Sequence, residues 1–94
     1  MTPVLVKLFD NTVLCGECEN DKAKHEIVIT DARMLVYWDT SVKGLIGICA
    51  NGVGKACRVT AASPLLRIPL HENVRFVARM TEKAWSSIVS EPWG

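Results

Sequence analysis

Four cysteines are the first residues in this chain whose type and spacing suggest chemistry: Cys15 and Cys18, spaced C-x-x-C, with Cys49 and Cys57 further along. Four thiolates can hold a structural zinc, but such sites usually take two tight pairs on turns. Here Cys15 and Cys18 fall in a stretch that alternates like a strand, where positions three apart point to opposite faces, and Cys49 falls in a helical pattern. A thioredoxin-type use fails too, because that motif opens a helix after a strand. The thiols read as small buried core residues, and neither metal nor cofactor is expected. His25 and His71, the two histidines, lie at turns or strand edges with no serine or cysteine partner nearby in sequence. Without a nucleophile elbow, an H-E-x-x-H or a carboxylate pair at helical spacing, the chain reads as a non-enzyme. Asn51-Gly-Val-Gly-Lys55 resembles a phosphate loop only superficially, since Ala56 replaces the hydroxyl residue and a helical pattern precedes it. It reads as a helix C-cap followed by a loop.

Recognition chemistry is better represented. Arg33, Tyr37, Trp38, Asp39 and Lys43 combine aromatic faces with cations, a set that can stack a base, neutralise a phosphate or anchor a protein partner. Tyr37 and Trp38 point to opposite sides of a regular strand, so one of them belongs to the core. Arg67, Arg75 and Arg79 form a second candidate surface, a basic sheet face for nucleic acid, with Arg75 and Arg79 on the same side of their strand.

These residues need elements to position them. The stretch Glu26 to Asp39 carries the strongest strand signal: Ile27, Val28 and Ile29, then Leu35 to Trp38, with Asp31-Ala32-Arg33 as a bend or bulge between two short strands. Before it, Pro3–Phe9 and Thr12–Glu19 alternate as a hairpin around a two-residue turn at Asp10-Asn11, and 20–24 form a polar break. After it, Asp39-Thr40-Ser41 offers N-cap side chains to a short helix with Val42, Leu45, Ile46 and Cys49 on its inner face, closed by Asn51-Gly52. Gly44 and Gly47 in that helix predict close packing against a neighbour. Cys57–Ala61 is a short strand, Ser63–Pro69 an irregular or edge segment because of its two prolines, and Asn73–Met80 a strand with Val74, Phe76, Ala78 and Met80 on one face. Thr81 caps a last helix whose inner face is Ala84, Trp85, Ile88 and Val89, stopped by Pro92.

The totals fit one folded domain spanning residues 1–94. A hydrophobic fraction of 49% with 22% charged residues matches an ordered globular chain, and a formal charge of +1 excludes a strong overall nucleic-acid bias without excluding a local basic face. A core this small gains from assembly, so a homo-oligomer is expected. With no basic leader and no apolar run approaching ~18 residues, the expected location is the cytosol and no membrane is expected as a partner. The predicted architecture is α+β: a small antiparallel β-meander, partly barrel-like, with one short crossing helix and a C-terminal helix.

Asp31-Ala32-Arg33, Tyr37-Trp38-Asp39, the helix Val42 to Cys49, Gly52-Val53, Cys57-Arg58, Thr81-Glu82-Lys83-Ala84 and Glu91-Pro92-Trp93 match, in order and spacing, the pattern of a family of small phage and prophage proteins, which the chain resembles over nearly its whole length. Met34, Val36 and Thr40-Ser41 depart from that pattern. The resemblance implies a cytosolic protein made from a phage or prophage. By analogy of setting it also implies a non-enzymatic binder that counters host defence, either by blocking a host protein or by sequestering a nucleotide-type signal. The alternative expectation is a nucleic-acid-binding phage regulator using the Arg67, Arg75 and Arg79 face.

Overall fold

The computed structural model describes residues 1–19, 25–38, 43–53, 57–60, 63–70 and 74–90. The N-terminal alternation folds as the expected hairpin, with β1 (Thr2–Leu8) and β2 (Val13–Cys18) antiparallel in unbroken register from Thr2↔Cys18 to Lys7↔Val13. Its turn is one residue longer than predicted. The Leu8 N–H donates to the Thr12 carbonyl at 3.0 Å, leaving Phe9, Asp10 and Asn11 as the loop. The Asp10 carboxylate accepts the Thr12 N–H at 2.8 Å, a local bond that stabilises the turn.

β3 (Glu26–Tyr37) is a single strand with a bulge where two short strands were expected. Asp31 has φ 55°, a left-handed conformation that Asp tolerates better than most residues. Pairing with β2 runs Cys15↔Arg33 and then Glu17↔Thr30, so β3 carries one extra residue opposite Gly16. Because side chains alternate with period two, that residue exchanges the faces of the strand. Ile27, Ile29 and Ala32 therefore join one core cluster, whereas Leu35 joins another.

The remaining elements are α1 (Gly44–Asn51), β4 (Arg58–Val59), β5 (Ser63–Pro69), β6 (Val74–Arg79) and α2 (Glu82–Ser90). Among the described residues, six strands form one antiparallel, unclosed sheet in the order β4-β3-β2-β1-β6, with β5 pairing β3 off that path. The architecture is thus α+β, as the sequence predicts. The segment expected to be irregular or an edge is the strand β5, in register with β3 from Glu26↔Pro69 to Ala32↔Ser63. Pro64 falls opposite the bulged Asp31, and Pro69 ends the strand, both places where a missing N–H is tolerated. In β6 the register against β1 slips at Arg75, so the expected alternation breaks: Val74 and Val77 pack into a core cluster while Phe76 is exposed. The same slip means that Arg75 and Arg79 are not related by simple alternation on one face.

Both faces of the sheet are covered. On one, Leu5, Val13, Cys15, Leu35 and Val59 pack against Ile48 of α1 and Ala84, Trp85 and Ile88 of α2. On the other, Val4, Val6, Leu14, Ile27, Ile29 and Ile68 form a second cluster enclosed by the strands themselves. Helix α1 differs from its predicted phase: Ile48, with Leu45 and Cys49, faces inward, and Ile46 is 84% exposed. The segment is apolar nearly all round, so its pattern does not fix which stripe meets the sheet. Its N-cap is Lys43, left-handed at φ 63° and without a side-chain capping bond; the predicted caps Asp39, Thr40 and Ser41 lie outside the described residues, as do Val42 and Pro92. Gly44 has open space around it and serves its own positive φ of 75°, not the close packing expected of it. No helix among the described residues is long and apolar enough to cross a membrane.

Helix α2 starts where predicted, with the Thr81 hydroxyl accepting the Ala84 N–H at 3.1 Å. The same hydroxyl donates to the Ala50 carbonyl at 2.8 Å, and the Thr81 N–H reaches Cys49 O, so this residue fastens the start of one helix to the end of the other. Gly52 closes α1 by donating its N–H to Ile48 O at 2.8 Å, at φ 90° and ψ −162°, a region essentially reserved for glycine. A Cβ at Gly52 would also collide with Ser87 Oγ and come within 3.1 Å of the Ala84 backbone. One at Gly16 would lie 3.0 Å from Thr30 O. Gly52→Ala is expected to cost about 3 kcal/mol and Gly16→Ala about 1 kcal/mol; urea unfolding of both variants should reproduce that order.

Candidate functional site

Among the residues first considered for recognition, Arg33 sits beneath α2 and is held there. Its Nη1 donates to Ile88 O at 3.3 Å, its guanidinium carbon lies 5.7 Å from the Trp85 ring centroid, and Nη2 is 3.8 Å from Asp31. A cation on the last carbonyls of a helix satisfies acceptors that have no partner within the helix. The side chain is only 11% exposed, and Nε has no partner among the described residues, so Arg33 works chiefly as a brace between the bulge and α2. Trp38 packs against the helix-side core, Tyr37 is 53% exposed, and Lys43 is exposed at the start of α1. Asp39 lies outside the described residues. The strand and the helix start therefore distribute these residues over core, brace and surface.

The second set is partly gathered. Arg67 is an exposed residue of β5, 3.8 Å from Glu26, and Arg75 places its guanidinium carbon 5.7 Å from the Phe9 ring centroid. Phe9 and Arg67 line the same groove, a volume of about 400 Å³ between the end of the β1–β2 hairpin and β5. Leu8, Phe9, Asp10 and Leu14 form the hairpin side, and the four consecutive residues Leu66 to Pro69 form the other. The lining is mostly apolar, with two charges at it. Those charges differ in their contacts: hydrogen bonds from the Thr12 N–H and side chain hold the Asp10 carboxyl below its ordinary range, whereas Arg67 has, among the described residues, a long contact with Glu26. Arg79 lies away from the groove, opposite Val4.

Several groove residues carry no signal of recognition in the sequence. Leu8, Leu14, Leu66 and Ile68 read as ordinary strand apolars, and only Phe9, a large apolar side chain in a turn and 59% exposed, hints that the hairpin end meets something. Register places Met34 beside Leu14 on the same face, where it is 40% exposed, so apolar surface continues beyond the groove.

The cysteines are placed by the same geometry. Cys15 belongs to the helix-side core and Cys18 to the opposite one, so the C-x-x-C pair is divided between the faces of the sheet. Burial, with a smaller contribution from the nearby Cys49, pushes the Cys15 thiol up to about 12, and burial raises Cys49 as well. Neutral, desolvated thiols of this kind are poor nucleophiles. His71 and the Lys55-Ala56 part of the glycine loop lie outside the described residues; Gly52 is a helix C-cap, as predicted. A second depression of about 380 Å³, lined by Met1, Glu17, Glu19, Val28, Thr30 and Leu65, brings two carboxylates to the far end of the sheet.

Residues 1–88 match the family described as Domain of unknown function (DUF6948). The chain belongs to this family. Its description names no activity, and no curated protein and no solved structure matches the chain. The match takes in both walls of the groove, all of α1 and α2 as far as Ile88, so the groove lies within the family's domain.

Cys15 also sets a pH dependence. Its folded pKa is raised, so the stability tied to the neutral thiol is complete below the ordinary value of 9.0 and is lost as pH rises towards about 12. Between those limits wild-type stability should fall by up to about 1.4 kcal/mol per pH unit more steeply than that of Cys15→Val, as urea midpoints at pH 8 and pH 10 will show.

Proposed function

We propose that this domain is a non-enzymatic binding module that holds a partner in the groove between the hairpin end and β5. The observation that carries this reading is the groove itself, about 400 Å³ of mostly apolar lining with Arg67 and the Arg75-backed ring of Phe9 beside it. An apolar concavity with a few placed polar groups is the usual form of a binding site. Aromatic and arginine side chains at its edge are the types that most often carry binding energy. The thiols support the non-catalytic part of the reading, because Cys15 and Cys49 are held neutral by burial.

The resemblance to phage and prophage proteins supplies a setting in which the occupant is a host factor and the consequence of binding is to block or sequester it. Exposed Ile46 and Phe76 are apolar surface away from the groove on which the expected self-assembly would rest. The nucleic-acid alternative, a basic face of Arg67, Arg75 and Arg79, draws less support, since Arg75 and Arg79 are separated by the register slip in β6.

Native mass spectrometry of the domain recovered from the cells that make it tests the reading. Wild type and Lys43→Ala should both carry a companion mass. Phe9→Glu, a change at an exposed loop residue, should be recovered without it and with stability within about 0.5 kcal/mol of wild type. A bare wild-type chain, or a Phe9→Glu variant that keeps the same companion, would show the groove assignment to be wrong.

A further inference from the structure

Side chains of a strand alternate between its two faces, so four consecutive residues can line one groove only if the groove runs along the strand's edge. Leu66, Arg67, Ile68 and Pro69 do this on β5. Among the described residues β5 pairs with β3 alone, which leaves its other edge on the groove side. The direction of its backbone groups follows from one bond. The Leu70 N–H donates to His25 O at 2.9 Å, so that opposed pair is hydrogen-bonded, and in antiparallel pairing bonded and non-bonded pairs alternate. With the register constant from Glu26↔Pro69 to Thr30↔Leu65, Ile68 and Leu66 bond to β3, while Pro69, Arg67 and Leu65 direct their backbone groups away from it. The proline thus occupies a position where β3 asks for no N–H, and the amide and carbonyl of Arg67 face the groove edge.

Resting on the groove as the binding site, we propose that its occupant is an extended segment of a partner polypeptide that adds as a strand to the free edge of β5. Its main chain bonds to the N–H and C=O of Arg67 and Leu65. An apolar side chain fills the space over Leu14 and Leu66, and a carboxylate on the segment meets the Arg67 guanidinium. Strand addition of this kind draws affinity from main-chain bonds and selectivity from alternate side chains. The charge follows from the walls: the Asp10 carboxylate is engaged by Thr12 N–H, whereas the Arg67 side chain is 69% exposed and, among the described residues, meets Glu26 at the long distance of 3.8 Å. An acidic segment is therefore favoured over a basic one.

A displayed library of random short peptides, selected on the full chain, supplies the probe. Peptides that bind wild type and lose Phe9→Glu are expected to carry an acidic residue within an alternating apolar pattern. N-methylating such a peptide one residue at a time should weaken binding roughly tenfold at every second position and little between, because each affected amide leaves a backbone partner unpaired. Arg67→Pro should weaken the same peptides more than Arg67→Met does, since it removes the outward N–H as well as the charge. Loss at consecutive positions, or no loss, would overturn strand addition while leaving the groove as a binding site. Selection that yields no peptide sensitive to Phe9→Glu would overturn the groove itself. A wild-type chain that dimerises, and that Arg67→Pro converts to monomer, would make a second copy the occupant and overturn the foreign segment.

Discussion

One extra residue in β3 governs the arrangement. At Asp31 the backbone turns left-handed, the pairing with β2 slips by one, and the strand exchanges its faces. A regular strand running from Ile27 to Leu35 would present those two odd-numbered residues to the same side. The bulge instead gives Ile27 and Ile29 to the strand-enclosed core and Leu35 to the core beneath the helices. The neighbours accommodate it: Gly16 has no Cβ to strike Thr30 O, and Pro64, lacking an N–H, lies across from the irregular residue. Asp31 also faces Arg33, so the bend and the brace beneath α2 share an ion contact of 3.8 Å.

From this division follow the two ends of the molecule. The second half of β3 supports a helical layer packed on the core and tied by Thr81 bridging to the end of α1, Gly52 against Ser87, and Arg33 on the Ile88 carbonyl. The first half carries β5, whose far edge borders the groove. Among the described residues the sheet does not close and one edge of β5 has no partner strand, and such an edge beside apolar walls is a surface suited to receive another chain. The helix-side brace and the candidate groove thus lie along different halves of one strand, with its aromatic and cationic residues mostly on the structural side.

Much of the fold is legible in the sequence. The alternation of β1 and β2, the irregularity at Asp31 and the Thr81 cap of α2 are each written in local residue types, and local physics decides them. The phase of α1 is not, because Leu45, Ile46, Ile48 and Cys49 surround the helix with apolar side chains and only tertiary packing selects among them. The slip at Arg75 is equally silent, since it depends on β1 across the sheet. The candidate site was the least legible part. Arg33 and Trp38 have the composition of a binding surface, yet the bulge and the helix layer recruit them for bracing and packing. The groove unites residues far apart in sequence whose individual types suggest only core, and its available edge depends on which way the amides of β5 point.

The most direct test of this account is deletion of Asp31, followed by urea unfolding and by the near-ultraviolet signal of the Trp85 environment. Removing the extra residue restores plain alternation and turns either Arg33 and Leu35 or Ile27 and Ile29 to the wrong face. The expected result is a loss of roughly 3–5 kcal/mol, or of cooperative unfolding altogether, with the tryptophan signal collapsing. A deletion variant that unfolds at the wild-type midpoint with an unchanged tryptophan signal would contradict the claim that the bulge assigns β3 to two cores.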